Sequence, residues 1–65
     1  MKPLSRRQRE VCTALMLGHT NKEAGRMLGI SVRVVEAHLL AIRDKYDAHS
    51  KNDLLLKLWK EGEQS

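Results

Sequence analysis

Residues Asn21 to Leu40, NKEAGRMLGISVRVVEAHLL, decide how this chain folds. Thr20 stands just before them and pairs with Glu23 as a capping box: the hydroxyl takes an orphan helix N–H and the carboxylate returns a bond at the cap. That pair opens a short helix over roughly Asn21 to Leu28. Gly29 closes it, because a residue without Cβ tolerates the positive φ of a tight turn. Ser31 then caps a second helix. Ile30 before this cap and Val35 inside the helix take up the positions of a hydrophobic staple. Where two such helices cross, the first needs a small residue, and Gly25 stands four before the turn. Leu28, Ile30 and Val35 supply apolar anchors around the corner. This is the pattern of a helix-turn-helix.

Similar signals recur on either side. Ser5 with Gln8 is a capping box for a helix that carries Val11, Cys12, Leu15 and Met16 on one face and stops at Gly18. The helix begun at Ser31 has the stripe Val35, Leu39, Ile42 and Tyr46, at helical spacing. After the turn Asp47-Ala48-His49, Ser50 caps a fourth helix, with Asp53 at its third position and Leu54, Leu55, Leu58 and Trp59 inside. Proline occurs only at Pro3 and strand-type alternation is missing. The expected fold is therefore all-α: a short compact bundle of four helices spanning residues 1–65 as one domain, with a core over about 4–61 and a frayed tail from Gly62 to Ser65.

Composition narrows the function. A chain of 65 residues buries only about 60% of its unfolded surface, so its stability is small. One cysteine, Cys12, makes no internal disulfide, which fits a reducing cytoplasm. No apolar run approaches the roughly 20 residues of a membrane span, and Leu54 to Leu56 is far too short. No nucleophile–base pair, carboxylate pair or glycine-rich phosphate loop points to an enzyme. His19, His38 and His49 lack a partner at ligand spacing, so neither a metal nor another cofactor is expected. Charge is the positive clue. Met1 to Arg33 holds seven basic and two acidic residues, a net +5, while Val34 to Ser65 holds five and six, a net −1. A basic front and a neutral back suit a chain that meets a polyanion with one face and protein with the other.

In a helix-turn-helix the second helix enters the major groove of double-stranded DNA while the first crosses the backbone. With Val35, Leu39, Ile42 and Tyr46 inward, the helix Ser31–Tyr46 turns Arg33, Glu36, Ala37, Leu40 and Arg43 outward. Ala37 and Leu40 fit thymine methyls, with cover of core or a partner as the other reading of Leu40. Arg33 either pairs with guanine or holds a phosphate, and Arg43 holds a phosphate or stands solvated. Thr20, Asn21 and Lys22, at the start of the first motif helix, make a phosphate site where free amides and the helix dipole face an anion; Arg26 joins them one turn on. Arg6, Arg7 and Arg9 read either as distal phosphate contacts or as a solvated face.

Nearly the whole chain, Leu4 to about Leu58, resembles the LuxR/GerE-type helix-turn-helix domain. Leu4 to Val11 is similar to the family's L-T-x-R-E-x-E-V opening, Gly18 to Glu23 to its G-x-S-N-K-E segment, Leu28 to Ser31 to its L-x-I-S turn, and Val34 to Leu39 to its T-V-K-x-H-L block; Ile42, Lys45 and Ser50 continue the pattern. The resemblance implies a bacterial, cytoplasmic and nucleoid-associated regulator of transcription. It implies Lys22 as a DNA-backbone contact and Lys51, where the family usually has arginine, as a phosphate contact. It also implies a homodimer paired through the fourth helix, with Leu55, Leu56 and Trp59 at the interface, reading a pseudo-palindromic site. RNA polymerase or another regulator is a further expected partner. Cys12 stands for a core leucine, and His38 is a structural residue or a phosphate contact. Ala24-Gly25 replaces Ile-Ala, which implies lower stability. Glu36 replaces a lysine that faces DNA; a carboxylate there repels phosphates unless it accepts a bond from a cytosine amino group. The alternative reading is a protein-interaction module that does not bind DNA and uses its fourth helix to hold another regulator.

Overall fold

The computed structural model describes residues 4–64, with side chains placed as far as Glu61. Four helices follow one another: α1 (Arg6–Met16), α2 (Asn21–Leu28), α3 (Val32–Tyr46) and α4 (Lys51–Gln64). No strand occurs among the described residues. The all-α, four-helix expectation is met, with each cap where local chemistry places it.

At α1 the Gln8 amide donates to Ser5 Oγ at 3.1 Å, and the Ser5 amide donates to Gln8 Oε1 at 3.0 Å. At α2 the Glu23 amide donates to Thr20 Oγ1 at 3.1 Å and the Thr20 amide to Glu23 Oε1 at 2.8 Å. Ser31 caps α3 by accepting from the Val34 amide at 3.2 Å, with no return bond because Val34 has nothing to return. Ser50 accepts from the Asp53 amide at 3.1 Å, while Asp53 Oδ2 takes the His49 amide at 2.9 Å, one residue upstream of the cap. Each cap is worth about 1 kcal/mol, a substantial share of the stability of so small a fold.

All four helices feed one core. Val11, Cys12, Ala14 and Leu15 from α1 meet Ala24 of α2, Val35, Leu39 and Ile42 of α3, and Leu54 and Leu58 of α4. Leu4, Met16, Leu28, Ile30, Tyr46 and Leu55 pack partly buried around them. The turn between α2 and α3 is tight. Gly29 has φ +70° and Gly25 faces the strand of chain that leaves the turn: a Cβ built on it would stand 2.7 Å from the Ile30 carbonyl oxygen. The Ile30 amide closes the same corner by donating to the Gly25 carbonyl at 2.9 Å.

Ser31 is the N-cap of the third helix, as its place in the sequence implies, and the helix proper begins at Val32. The fourth helix runs on through Gln64, since one glycine at position 62 costs only about 1 kcal/mol and its glutamate and glutamine neighbours favour helix. Met1 to Pro3 and Ser65, included in the expected 1–65 span, lie outside the described residues.

Candidate nucleic-acid interface

The inner stripe of α3 fixes which of its residues face out. Val35, Leu39 and Ile42 are buried, so Arg33, Glu36, Ala37 and Leu40 stand on the opposite side, all exposed, with Leu40 64% exposed. Val32 and Val34 add apolar surface at the start of the same helix. A helix that presents one arginine, one carboxylate and several apolar groups, with its back locked in the core, has the chemistry to read base edges and methyl groups.

Arg43 sits at the far end of this face and is half-buried. Its guanidinium donates to the His49 carbonyl at 2.6 Å, and its Nε is buried without a partner. No local pattern signals that this cation braces the α3–α4 turn, because the bond depends on how the chain doubles back after Asp47. Asp47 itself adopts φ +53°, and its carbonyl accepts from Lys57 Nζ at 2.7 Å.

The start of α2 lies beside the start of α4. Lys51 Nζ is 3.3 Å from Asn21 Oδ1. Asn21, Lys51, Arg43, Glu36 and Leu40 line one shallow cleft that runs from these helix starts to the outer face of α3. The Glu36 carboxylate thus stands in a cationic cleft, although no ion pair holds it among the described residues.

Capping shapes what the α2 start can offer an anion. Thr20 and Glu23 satisfy each other's amides, which leaves the Asn21 and Lys22 amides without a helix partner, beside the exposed Lys22 ammonium. Hydrogen bonds from the Thr20 backbone and then its hydroxyl hold the Glu23 carboxyl below its ordinary value, so it stays ionised and takes up part of the helix's positive end. His19 Nδ1 lies 3.9 Å from that carboxylate. Arg26 is exposed one turn on, and His38 is half-buried between the two sides of α3.

On α4, Leu56 is 60% and Trp59 56% exposed, and Leu55 is half-buried against the core. Arg7 leaves the group of distal cations: it donates to the Leu28 carbonyl at 3.3 Å and pairs with Glu10 at 3.5 Å. Sequence reasoning missed Leu17 and Met27, exposed at 68% and 56% between α1 and α2. Met27 follows Ala24 at helical spacing and so reads as core until the packing of α1 is known.

Residues 2–58 match the family described as bacterial regulatory proteins, luxR family. The chain belongs to this family. YhjB of Escherichia coli (strain K12), which carries an HTH-type regulator name, is 40% identical over 58 residues, covering 89% of this chain and 29% of that protein. The oxygen regulatory protein NreC of Staphylococcus haemolyticus is 39% identical over 54 residues, 83% of this chain and 25% of NreC. The HTH-type transcriptional activator RamA of Corynebacterium glutamicum is 38% identical over 48 residues, 74% of this chain and 17% of RamA. The chain therefore spans less than a third of the length of each of these relatives. No solved structure gives a significant match. Among the described residues, no helix of this luxR-family chain is long and apolar enough to cross a membrane.

Proposed function

We propose that this luxR-family chain binds double-stranded DNA and regulates transcription, with α3 in the major groove. The observation that carries this reading is the two-sided build of α3: Val35, Leu39 and Ile42 are buried while Arg33, Glu36, Ala37 and Leu40 are exposed. In this reading those four residues meet bases and groove edges. Thr20, Asn21, Lys22, Arg26, Arg43 and Lys51 hold phosphates on either flank. The cleft shared by Asn21 and Lys51 gathers backbone contacts from α2 and α4 in one place, which favours a duplex strand over scattered solvated charges.

The chain works as a homodimer through Leu55, Leu56 and Trp59 of α4, on half-sites about one turn of duplex apart. Exposed tryptophan beside exposed leucine supports this, since isolated domains rarely leave such a pair uncovered without use. Its place is the cytoplasm, at the nucleoid, with RNA polymerase or another regulator as a second partner, and it needs no cofactor. Selection of random duplexes by the purified protein at two salt concentrations tests the reading. A recovered pseudo-palindrome and a steep loss of affinity with salt are expected. Unmoved Arg33–Arg43 amides and unmoved duplex imino resonances at low salt would overturn it, leaving the protein-interaction module.

A further inference from the structure

Seven large apolar side chains are exposed among the described residues, and they sort into three places. Val32, Val34 and Leu40 lie on α3, and Leu56 and Trp59 on α4. Leu17 and Met27 remain, and neither the proposed duplex contact nor the proposed dimer uses them. Both line one groove between α1 and the end of α2. Thr13 lies in the groove, and its hydroxyl is spent on the Arg9 carbonyl at 3.0 Å.

The rim is charged, and unevenly. Glu10 lines the groove but pairs with Arg7 at 3.5 Å. Arg6 and Arg9, also lining it, are exposed and make no ion pair among the described residues. An apolar floor under two uncompensated guanidiniums is complementary to a surface that is apolar in the middle and acidic at the side. From Arg6 to Leu17 the groove follows α1 for about 16 Å, the length of about three turns of a partner helix. The surroundings present no strand edge, so a helix laid in the groove is the recognition mode that fits.

We propose that this α1–α2 groove binds an amphipathic helix of a partner protein, with carboxylates flanking its apolar ridge. A second copy of this chain is a poor occupant. Its α4 face carries Lys60 beside Trp59, which repels Arg6 and Arg9, and its α3 face, where Arg33 stands with the carboxylate Glu36, is taken by the duplex in the proposed function. A duplex is poorer still, because the floor offers phosphates nothing.

The experiment titrates the isotope-labelled chain, without DNA, with a synthetic helical peptide of about 14 residues carrying leucines at i, i+3, i+4 and i+7 and glutamates beside them. A twin peptide carries lysine in place of every glutamate. With the acidic peptide, amide shifts confined to Arg6–Leu17 and Arg26–Leu28 are expected. The double variant R6E/R9E should weaken that binding by roughly tenfold or more and should prefer the lysine twin. This variant keeps its fold, because α1 has no acidic residue in its first turn and acidic groups suit a helix start. L17S, at an exposed site, should weaken both pairings.

Equal affinity for the two peptides would overturn the proposal, as would shifts centred on Leu56 and Trp59. So would groove shifts that grow with protein concentration alone, which assign the groove to a second copy. No duplex enters the titration, so its failure is separate from failure of the DNA-binding reading.

Discussion

Lys51 Nζ lies 3.3 Å from Asn21 Oδ1, which brings the first turn of α4 onto the first turn of α2. Two helix starts, each with its positive dipole end, thereby flank one cleft beside α3. If a DNA strand follows that cleft, Lys22→Ala and Lys51→Ala should weaken binding to all sequences alike. Each should lower the slope of log affinity against log salt by about 1. Fluorescence titrations at several salt concentrations measure it; a slope unchanged by both removes these lysines from the interface.

Arg33 and Glu36 should behave differently from the lysines. Both stand on the exposed side of α3, the side that faces base edges in the proposed reading. Arg33→Ala and Glu36→Ala are expected to cost about 1–3 kcal/mol on the preferred site and much less on random duplex, relaxing choice at one base position each. Glu36→Lys discriminates further. If the carboxylate accepts from a cytosine amino group, lysine loses that preference and gains only the general attraction. Tighter binding to every sequence with the preference intact would mean that Glu36 touches no base.

The exposed pair on α4 gives the prediction for assembly. Leu56→Ser with Trp59→Ser should convert dimer to monomer in sedimentation equilibrium, with little change in melting temperature, since both side chains are more than half exposed. Binding to a single half-site should persist while binding to the full site weakens. An unchanged mass would place the dimer contact elsewhere.

Gly25 carries the prediction for the turn. Alanine favours helix over glycine by about 1 kcal/mol. Against that, its Cβ would meet the Ile30 carbonyl oxygen at 2.7 Å, and that oxygen belongs to backbone that cannot swing aside. Overpacking of this sort costs about 1–3 kcal/mol, so Gly25→Ala should destabilise the fold on balance. Chemical denaturation with an unchanged m-value and a lower midpoint is expected.

This residue also marks where legibility ends. Ser5, Thr20, Ser31 and Ser50 act within four residues of themselves, so the helix starts follow from local chemistry, and the buried stripe of α3 follows from its period. The need for a small residue at position 25 follows from the crossing. The bond from Lys45 Nζ to Gln8 Oε1 at 2.9 Å and the Arg7 bond to Leu28 join residues far apart in sequence, so they depend on packing that no local rule specifies. The same holds for the roles of Arg43 and Met27. Within the candidate site, the outward face of α3 was readable, but the meeting of Asn21 with Lys51 was not.

Four titratable groups among the described residues make the fold's stability depend on pH. Burial, with the nearby Glu61 charge, pushes the Cys12 thiol up from 9.0 to about 11. Burial, then a hydrogen bond to Glu61, pushes Tyr46 up from 10.0 to about 12. The fold favours the neutral form of both, so their contribution is complete below about pH 9 and is lost as pH rises from there to about 12. Glu23 and Asp53 run the other way. The Thr20 backbone bond on Glu23, and the His49 backbone bond and Lys57 on Asp53, hold both carboxyls low. Their contribution is present above the ordinary carboxylate range and disappears as pH falls through the depressed values. Melting followed by circular dichroism should therefore show a plateau through neutrality with an acid and an alkaline limb. Tyr46→Phe should shift the alkaline limb to higher pH and leave the acid limb alone. The thiol itself reports on the core: a group held protonated and 6% exposed is a poor nucleophile. At pH 8 a thiol reagent should modify Cys12 only as fast as the chain opens, and modification at the rate of a free cysteine would contradict its burial among Val11, Leu15 and Leu58.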